Sequence, residues 1–375
     1  AGLGGNVNIP LVKQLTAVVK QKNSEAGKYV HFGATSQDVI DTAMMLQARD
    51  AVSIIEEDLK QLVKQLVLLV EEHRNTVMIG RSFMQHARPI TFGYKVAGWL
   101  DALLRSQKVI EELLQQGFFL QLGGAVGTLS GMHEKGLQVC ETMSGLLALN
   151  NPSKPWHTER DRFVTIASTL GILAGNLGKI AKDISLLMQT EIAEVFEPSA
   201  KGKGGSSTMP HKRNPVGCTA ILANATRIPG LVATMFSCMT HDHERATGSW
   251  HAEWETFSDI IKLTAGAVSK AVELTNGLEV DVQRMLANLE MTNGLIYAEN
   301  ISMALADKIG KADAHRLIEQ CCAEAVSKGV HLKDVIIMNK VISKELSMVK
   351  IEEQFDSFKS VGLSSSYISE VLKSV

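Results

Sequence analysis

Aromatic residues are scarce in this chain, at 5% of 375 positions, and no run of alternating β-branched residues exceeds a few positions. Strands draw on both, so a sheet-based core is not expected. Net charge is nearly absent as well: 38 Lys and Arg oppose 40 Asp and Glu, leaving −2 at pH 7. Phosphate backbones are held by a basic surplus or stripe, so nucleic acid is not an expected partner. The five cysteines are an odd number without a CxxC spacing, which argues against a disulfide framework or a zinc site and suits a reducing cytoplasm. No GxGxxG follows a strand pattern either, so neither a metal nor an organic cofactor is expected. No uninterrupted apolar run reaches membrane-spanning length, and no low-complexity tract or solenoid period is present. No membrane association is expected. The chain opens at Ala1-Gly2-Leu3-Gly4-Gly5 in what reads as an already structured region, so an N-terminal piece is expected to be missing.

What is present is helix. Hydrophobic residues make up 45% and charged residues 21%, an ordinary globular composition, and the length favours two or three cooperating units. Residues 39–79 contain neither Gly nor Pro, and Leu59, Leu62, Val63, Leu66, Leu69 and Val70 recur at three- and four-residue steps. A second helix over 95–116 stops at Gly117. A third is opened by Thr158 and Asp161, which resemble a capping box, and ends before Pro198. Asn214-Pro215 reads as the cap of a fourth, kinked by Pro229, and a fifth runs over about 250–276. Helices of this length reach roughly 35 to 60 Å. The expected fold is all-α: an elongated central bundle of five long helices, flanked by smaller N- and C-terminal helical domains. Its segments are 1–38, the remainder of a truncated N-terminal domain; 39–288, the bundle; and 289–375, where shorter helical patterns are separated by Gly310 and Gly329.

Between Pro198 and Asn214 lies a stretch that regular structure cannot hold, with Gly202, Gly204, Gly205, Ser206, Ser207 and Thr208 in close succession. Glycines permit positive φ, and consecutive amides in such a turn form a concave anion site. The positive end of the helix starting near Pro215 should face it, with Lys201, Lys203, Lys212 and Arg213 adding local charge. By composition alone, a Gly/Ser connector with solvated lysines is the more usual explanation of the stretch.

The exact string decides between them. Residues 205–215, Gly-Ser-Ser-Thr-Met-Pro-His-Lys-Arg-Asn-Pro, resemble the signature GSSxMPxKxNP of the fumarase/aspartase superfamily at every fixed position. Further segments are similar to regions of that family in order and spacing: His31 to Val39 with Thr35-Ser36, Gly80 to Thr91, Gly123 to Thr128, and His243-Glu244-Arg245 followed by Trp250-His251-Ala252-Glu253-Trp254. The resemblance implies reversible addition to, or elimination from, a carbon-carbon bond beside a carboxylate. The hard step is the proton, because the dianionic aci-carboxylate of the transition state must meet prearranged positive charge. The resemblance assigns Ser206 as the catalytic base and Lys212 as the cation of that site. It places Thr35, Ser36, Gln85, His86, Ser207, Met209, Asn214, His243 and Arg245 around the substrate, with His31 and Arg81 as further candidates. Arg245 suits bidentate pairing with a carboxylate. It further implies a homotetramer whose active sites each combine segments from three chains.

One departure selects a branch. Superfamily lyases usually read Gly-Arg-Thr-His in the second region, where this chain has Gly80-Arg81-Ser82-Phe83. Phenylalanine cannot transfer a proton, which counts against a lyase that must protonate a departing amine. An intramolecular lactonisation needs no such acid, since its leaving group is the substrate's own carboxylate. An aromatic residue at this position and the Trp-His-Ala-Glu-Trp string resemble the lactonising branch of the family, and that resemblance implies as substrate a small unsaturated tricarboxylate that closes on itself. Adenylosuccinate lyase is the runner-up, and a non-catalytic structural relative is a remote alternative. His73, His133, His157, His315 and His331 are read as structural.

Overall fold

The computed structural model describes residues 5–198, 204–205, 208–209 and 211–375. Along the chain come α1 (Asn8–Lys22), α2 (Ser36–Glu72), β1 (Val77–Ser82), β2 (Gln85–Thr91), α3 (Phe92–Gln116), α4 (Gly136–Leu147), α5 (Asp161–Leu187), β3 (Val195–Phe196), α6 (Val216–Ser237), α7 (Ser249–Thr275), β4 (Glu279–Val280) and α8 (Val282–Leu289). Then follow α9 (Ala298–Ile309), α10 (Lys311–Lys328), α11 (Leu332–Met338), α12 (Lys340–Glu345), α13 (Met348–Gln354) and α14 (Ser364–Leu372). The all-α class holds, and the five long helices are α2, α3, α5, α6 and α7, of 37, 25, 27, 22 and 27 residues.

Contacts divide the chain into two compact units, each assembled from three stretches. The first comprises Ala1–Gln61, Arg105–Gly178 and Thr219–Val272; the second comprises Leu62–Leu104, Lys179–Cys218 and Glu273–Val375. Every long helix contributes to both.

In the first unit, α2 presents Met45, Ala48, Val52, Ile55 and Leu59 as one fully buried stripe. Phe163 of α5 meets Phe257 of α7 edge-on, with ring centroids 4.8 Å apart. Where α5 passes α6, a Cβ on Gly178 would lie 3.0 Å from that of Ala225, and one on Gly171 would lie 3.1 Å from Val232. Small residues there permit the close approach. Inside this apolar packing sits a charged group. Arg160, just before α5, is fully buried and donates Nη1 and Nη2 to Asp41 of α2 at 2.6 and 3.1 Å. Its Nε donates to Glu253 of α7 at 3.0 Å, and its Nη2 donates to the same carboxylate at 2.5 Å. Burial opposes the charge, yet Asp41 and Glu253 outweigh it and hold the guanidinium above its ordinary pKa. Trp250 Nε1 completes the shell of Asp41 at 3.0 Å.

In the second unit, Ile301, Leu305, Ile318, Leu332, Ile336 and Ile342 form the core of the C-terminal helices. A second cluster joins Val77 and Ile79 of β1 to Leu289, Ile296 and Tyr297. β1 and β2 pair antiparallel from Val77↔Thr91 to Ser82↔Gln85, and β3 pairs with β4 through Val195↔Val280 and Phe196↔Glu279. The hairpin was not anticipated. Its turn residues Phe83 and Met84 have φ of 48° and 63°, a conformation that such turns normally give to Asn-Gly, so the usual signal is missing.

Two helix starts differ from expectation. Thr158 does not open α5, which begins at Asp161, because Arg160 is drawn inward by its two carboxylates. α6 begins at Val216, with Glu197 at its amino end instead of an Asn214 cap, and continues through Pro229. By length and composition α5 and α6 could each cross a membrane, because few charges interrupt them. In α5, 61% of the apolar window is buried inside the protein; in α6 only 22% is.

Replacing Arg160 by Met would leave Asp41 and Glu253 buried and unopposed, at a cost of about 3 to 5 kcal/mol. Thermal unfolding should register a large fall in melting temperature. An unchanged melting temperature would contradict a structural role for this triad.

Candidate active site

The first unit gathers one group of the residues assigned from sequence. Asp38, 2% exposed, accepts the Thr35 amide at 2.9 Å, reaching back over the first turn of α2. The same carboxylate accepts the amides of Gly123 and Gly124, each at 2.9 Å, and Gln121 Nε2 at 3.2 Å. His157 Nε2 lies 2.7 Å from its Oδ1. One buried carboxylate thus fixes the Thr35-Ser36 segment against the Gly123-Gly124 turn. That turn needs glycine: Gly124 has φ of +72°, and a Cβ there would lie 2.7 Å from Gly33 O. Asn8 Nδ2 donates to Ser36 Oγ at 3.3 Å, and His31 stands nearby with φ of 61°.

Arg245 is drawn to the same place. Its Nε donates to Gln37 Oε1 at 3.2 Å and its Nη2 to Ala125 O at 3.0 Å, while Nη1 has no partner among the described residues. Gln37 is fully buried, and its Nε2 donates to Asp41 Oδ2 at 3.1 Å and to His157 O at 2.8 Å. A continuous hydrogen-bonded path therefore runs from Arg160 through Asp41 and Gln37 to Arg245. His243, also assigned, is exposed with φ of 45°. So Thr35, Ser36 and Arg245 come together, and the chemistry available there is the binding of carboxylates by hydroxyls and a guanidinium.

The second unit carries the other group. Gln85 and His86 start β2, just after the Phe83-Met84 turn, where Phe83 is 99% and Met84 72% exposed. Burial first, and Arg81 second, hold the His86 imidazole below its ordinary pKa, and its Nδ1 is buried with no hydrogen-bond partner among the described residues. Arg81 faces inward: Nη1 and Nη2 donate to the two oxygens of fully buried Glu194 at 2.9 and 2.7 Å. Asn288 Nδ2 donates to the same carboxylate at 2.8 Å. Arg81, a further candidate from the sequence, thus has both of its terminal nitrogens held by a buried carboxylate. Lys95, on the first turn of α3, feels the same ion pair; burial leads in lowering its pKa, with Asp183 opposing.

Ser206 and Ser207 lie outside the described residues. Beside them, the Lys212 amide donates to Met209 O at 3.0 Å, and the Asn214 amide to Gly204 O at 2.8 Å. The Lys212 side chain is exposed. The expected positive helix end behind the loop is already satisfied, because Glu197 accepts the Gly217 and Cys218 amides at 3.0 and 2.8 Å. Arg213, too, is engaged, by Glu279. Of the cations described in this segment, Lys212 is the one left to an anion.

Sequence reasoning missed Gln37, Asp38, Gln121, Glu194 and Lys95. Asp38 was within reach, as an acid three positions after Thr35. No group of three His, Cys, Asp or Glu among the described residues is arranged to hold a metal ion.

A family profile described as "Lyase" matches residues 4–230, and one described as "Adenylosuccinate lyase C-terminus" matches residues 294–371. A 3-carboxy-cis,cis-muconate cycloisomerase of Bradyrhizobium diazoefficiens is 47% identical over 99% of this chain and 82% of its own length. One of Pseudomonas aeruginosa is 48% identical over 98% of this chain and 80% of its own. The crystal structure of 3-carboxy-cis,cis-muconate lactonizing enzyme from Pseudomonas putida superposes with a TM-score of 0.93 at 45% identity, covering 100% of this chain and 83% of that one.

Proposed function

The chain belongs to the fumarase/aspartase superfamily, and from that membership we propose that it is an enzyme acting as a 3-carboxy-cis,cis-muconate cycloisomerase. It closes the tricarboxylate diene to 4-carboxymuconolactone, 2-carboxy-2,5-dihydro-5-oxofuran-2-acetate, in protocatechuate degradation. The observation that carries this reading is identity of 47% with such an enzyme over 99% of the chain. Phe83 agrees, being exposed at the hairpin tip where a superfamily lyase has a proton-transferring histidine.

In the closing direction, an oxygen of one terminal carboxylate bonds to the carbon that bears the 3-carboxylate. The double-bond electrons move to the neighbouring carbon and its carboxylate, and a proton ends on that carbon. Ser206 delivers this proton and, as the alkoxide, removes it in reverse. A free serine is far too weak a base, so exclusion of water and nearby donors must stabilise the alkoxide. Lys212 and Asn214 meet the charge of the aci-carboxylate, where one lost donor is worth on the order of 3 to 4 kcal/mol. Arg245, tethered through Gln37 with Nη1 unpartnered among the described residues, and the Thr35-Ser36 segment take the other carboxylates. Gln85, His86, Ser207, Met209 and His243 complete the substrate contacts, and Arg81 supports the hairpin that carries two of them.

Assembly is proposed as a homotetramer with active sites shared among three chains. α6 supports it: Ala220, Ala223, Gly230, Ala233 and Phe236 stand exposed on this helix, interrupted by Thr226 and Arg227. A largely apolar face of this kind is suited to packing against another copy. The five free cysteines are consistent with a cytoplasmic site of action.

Supplied separately with 3-carboxy-cis,cis-muconate and adenylosuccinate, the protein should change the ultraviolet absorbance of the first only. Ser206→Ala should lower kcat by several orders of magnitude and leave substrate binding nearly intact. Turnover of adenylosuccinate alone would overturn the branch. Sedimentation should give a tetramer at micromolar concentration, and a stable monomer there would refute the shared-site assembly.

A further inference from the structure

Arg213 lies inside the signature segment at one of its variable positions, so the resemblance gives it no task. Its surroundings do. Nη1 and Nη2 donate to separate oxygens of Glu279, each at 2.9 Å. Nη2 also donates to Glu197 O at 2.8 Å, and the guanidinium carbon lies 4.8 Å from the centre of the Phe196 ring. Phe196 and Glu279 are register partners across β3 and β4. A single side chain therefore grips both strands of this small sheet.

The residues on either side are fixed in turn. Asn214 donates its amide to Gly204 O, and Gly204 has φ of +69° with no room for a Cβ, which would lie 2.8 Å from Asn214 O. Glu197, whose carbonyl Arg213 holds, uses its carboxylate to bind the Gly217 and Cys218 amides. Lys212 is bracketed by these contacts. The ion pair itself is about 41% and 43% exposed, so solvent screens it and its contribution to stability is small. Its geometry, bidentate and stacked on a ring, instead fixes direction.

We propose that Arg213 is a positioning residue: with Glu279 and Phe196 it holds the stem from which Lys212 reaches the substrate. This rests on the reading of Lys212 as a substrate cation. Arg213→Met should lower kcat by on the order of 10- to 100-fold, the effect of a small misplacement of a reacting group, with a lesser change in KM. Glu279→Gln should act in the same direction, and the double variant should be no worse than Arg213→Met, because Arg213→Met already removes the contact that Glu279 makes. Arg213→Lys should recover only part of the loss. Wild-type kcat in Arg213→Met would overturn the proposal. So would a raised KM at unchanged kcat, which would make Arg213 a substrate ligand, or losses that multiply in the double variant.

Hydrogen exchange supplies a readout independent of substrate. The Asn214 amide should exchange faster in Arg213→Met by on the order of tenfold, as expected for the loss of hydrogen bonds to a charged group, with the melting temperature unchanged. Unchanged exchange would sink the stem. If the wild type failed to turn over 3-carboxy-cis,cis-muconate, the proposed function would fail by itself, while exchange at Asn214 would still decide the role of Arg213.

Discussion

A guanidinium buried between two carboxylates organises the first unit. Arg160 stands at the start of α5, Asp41 on α2 and Glu253 on α7, all with no exposure, so three long helices meet at one charge. Removing such groups from water is costly, and the cost is offset only if every donor and acceptor finds a partner in good geometry. That requirement constrains more than the triad. Asp41 must also accept Trp250 and Gln37, and Gln37, once oriented, presents its oxygen to Arg245. The direction of the Arg245 guanidinium is thereby set by a charge in the core.

Under the proposed function the two units carry different groups. The first holds the proposed carboxylate-binding groups: Arg245 and the Thr35-Ser36 segment, fixed by Asp38. The second holds the hairpin with Gln85 and His86 and the stem of Lys212. Its fixed points are again buried carboxylates, Glu194 under Arg81 and Glu197 under the amino end of α6. A reaction that moves negative charge onto a carboxylate needs donors that do not reorganise during the step, and each segment proposed to supply one is braced by an acid behind it.

Much of this was legible in the sequence and some was not. The five long helices follow from helical periodicity, and the signature at 205–215 pointed to the family. The triad had a trace as well. Asp41 precedes Met45, Arg160 precedes Phe163, and Glu253 precedes Phe257 at helical spacing, so each charge sits in phase with a buried stripe. A charge in that phase implies a buried partner, but not which one, because the partners lie over ninety residues apart. The hairpin was hidden because Phe83 and Met84 occupy positions that usually hold Asn and Gly. Glu197 was missed for another reason: nothing local distinguishes an acid that caps a helix beginning many residues later from one that faces solvent.

The central claim is that this fold closes a tricarboxylate on itself, placing one solvent-derived proton on the carbon next to a carboxylate. Proton NMR of the product formed from 3-carboxy-cis,cis-muconate in deuterium oxide tests it most directly. The account predicts a single lactone carrying one deuterium on the methylene of its acetate arm and none elsewhere. Two separate fragments, or a lactone without deuterium at that carbon, would contradict it.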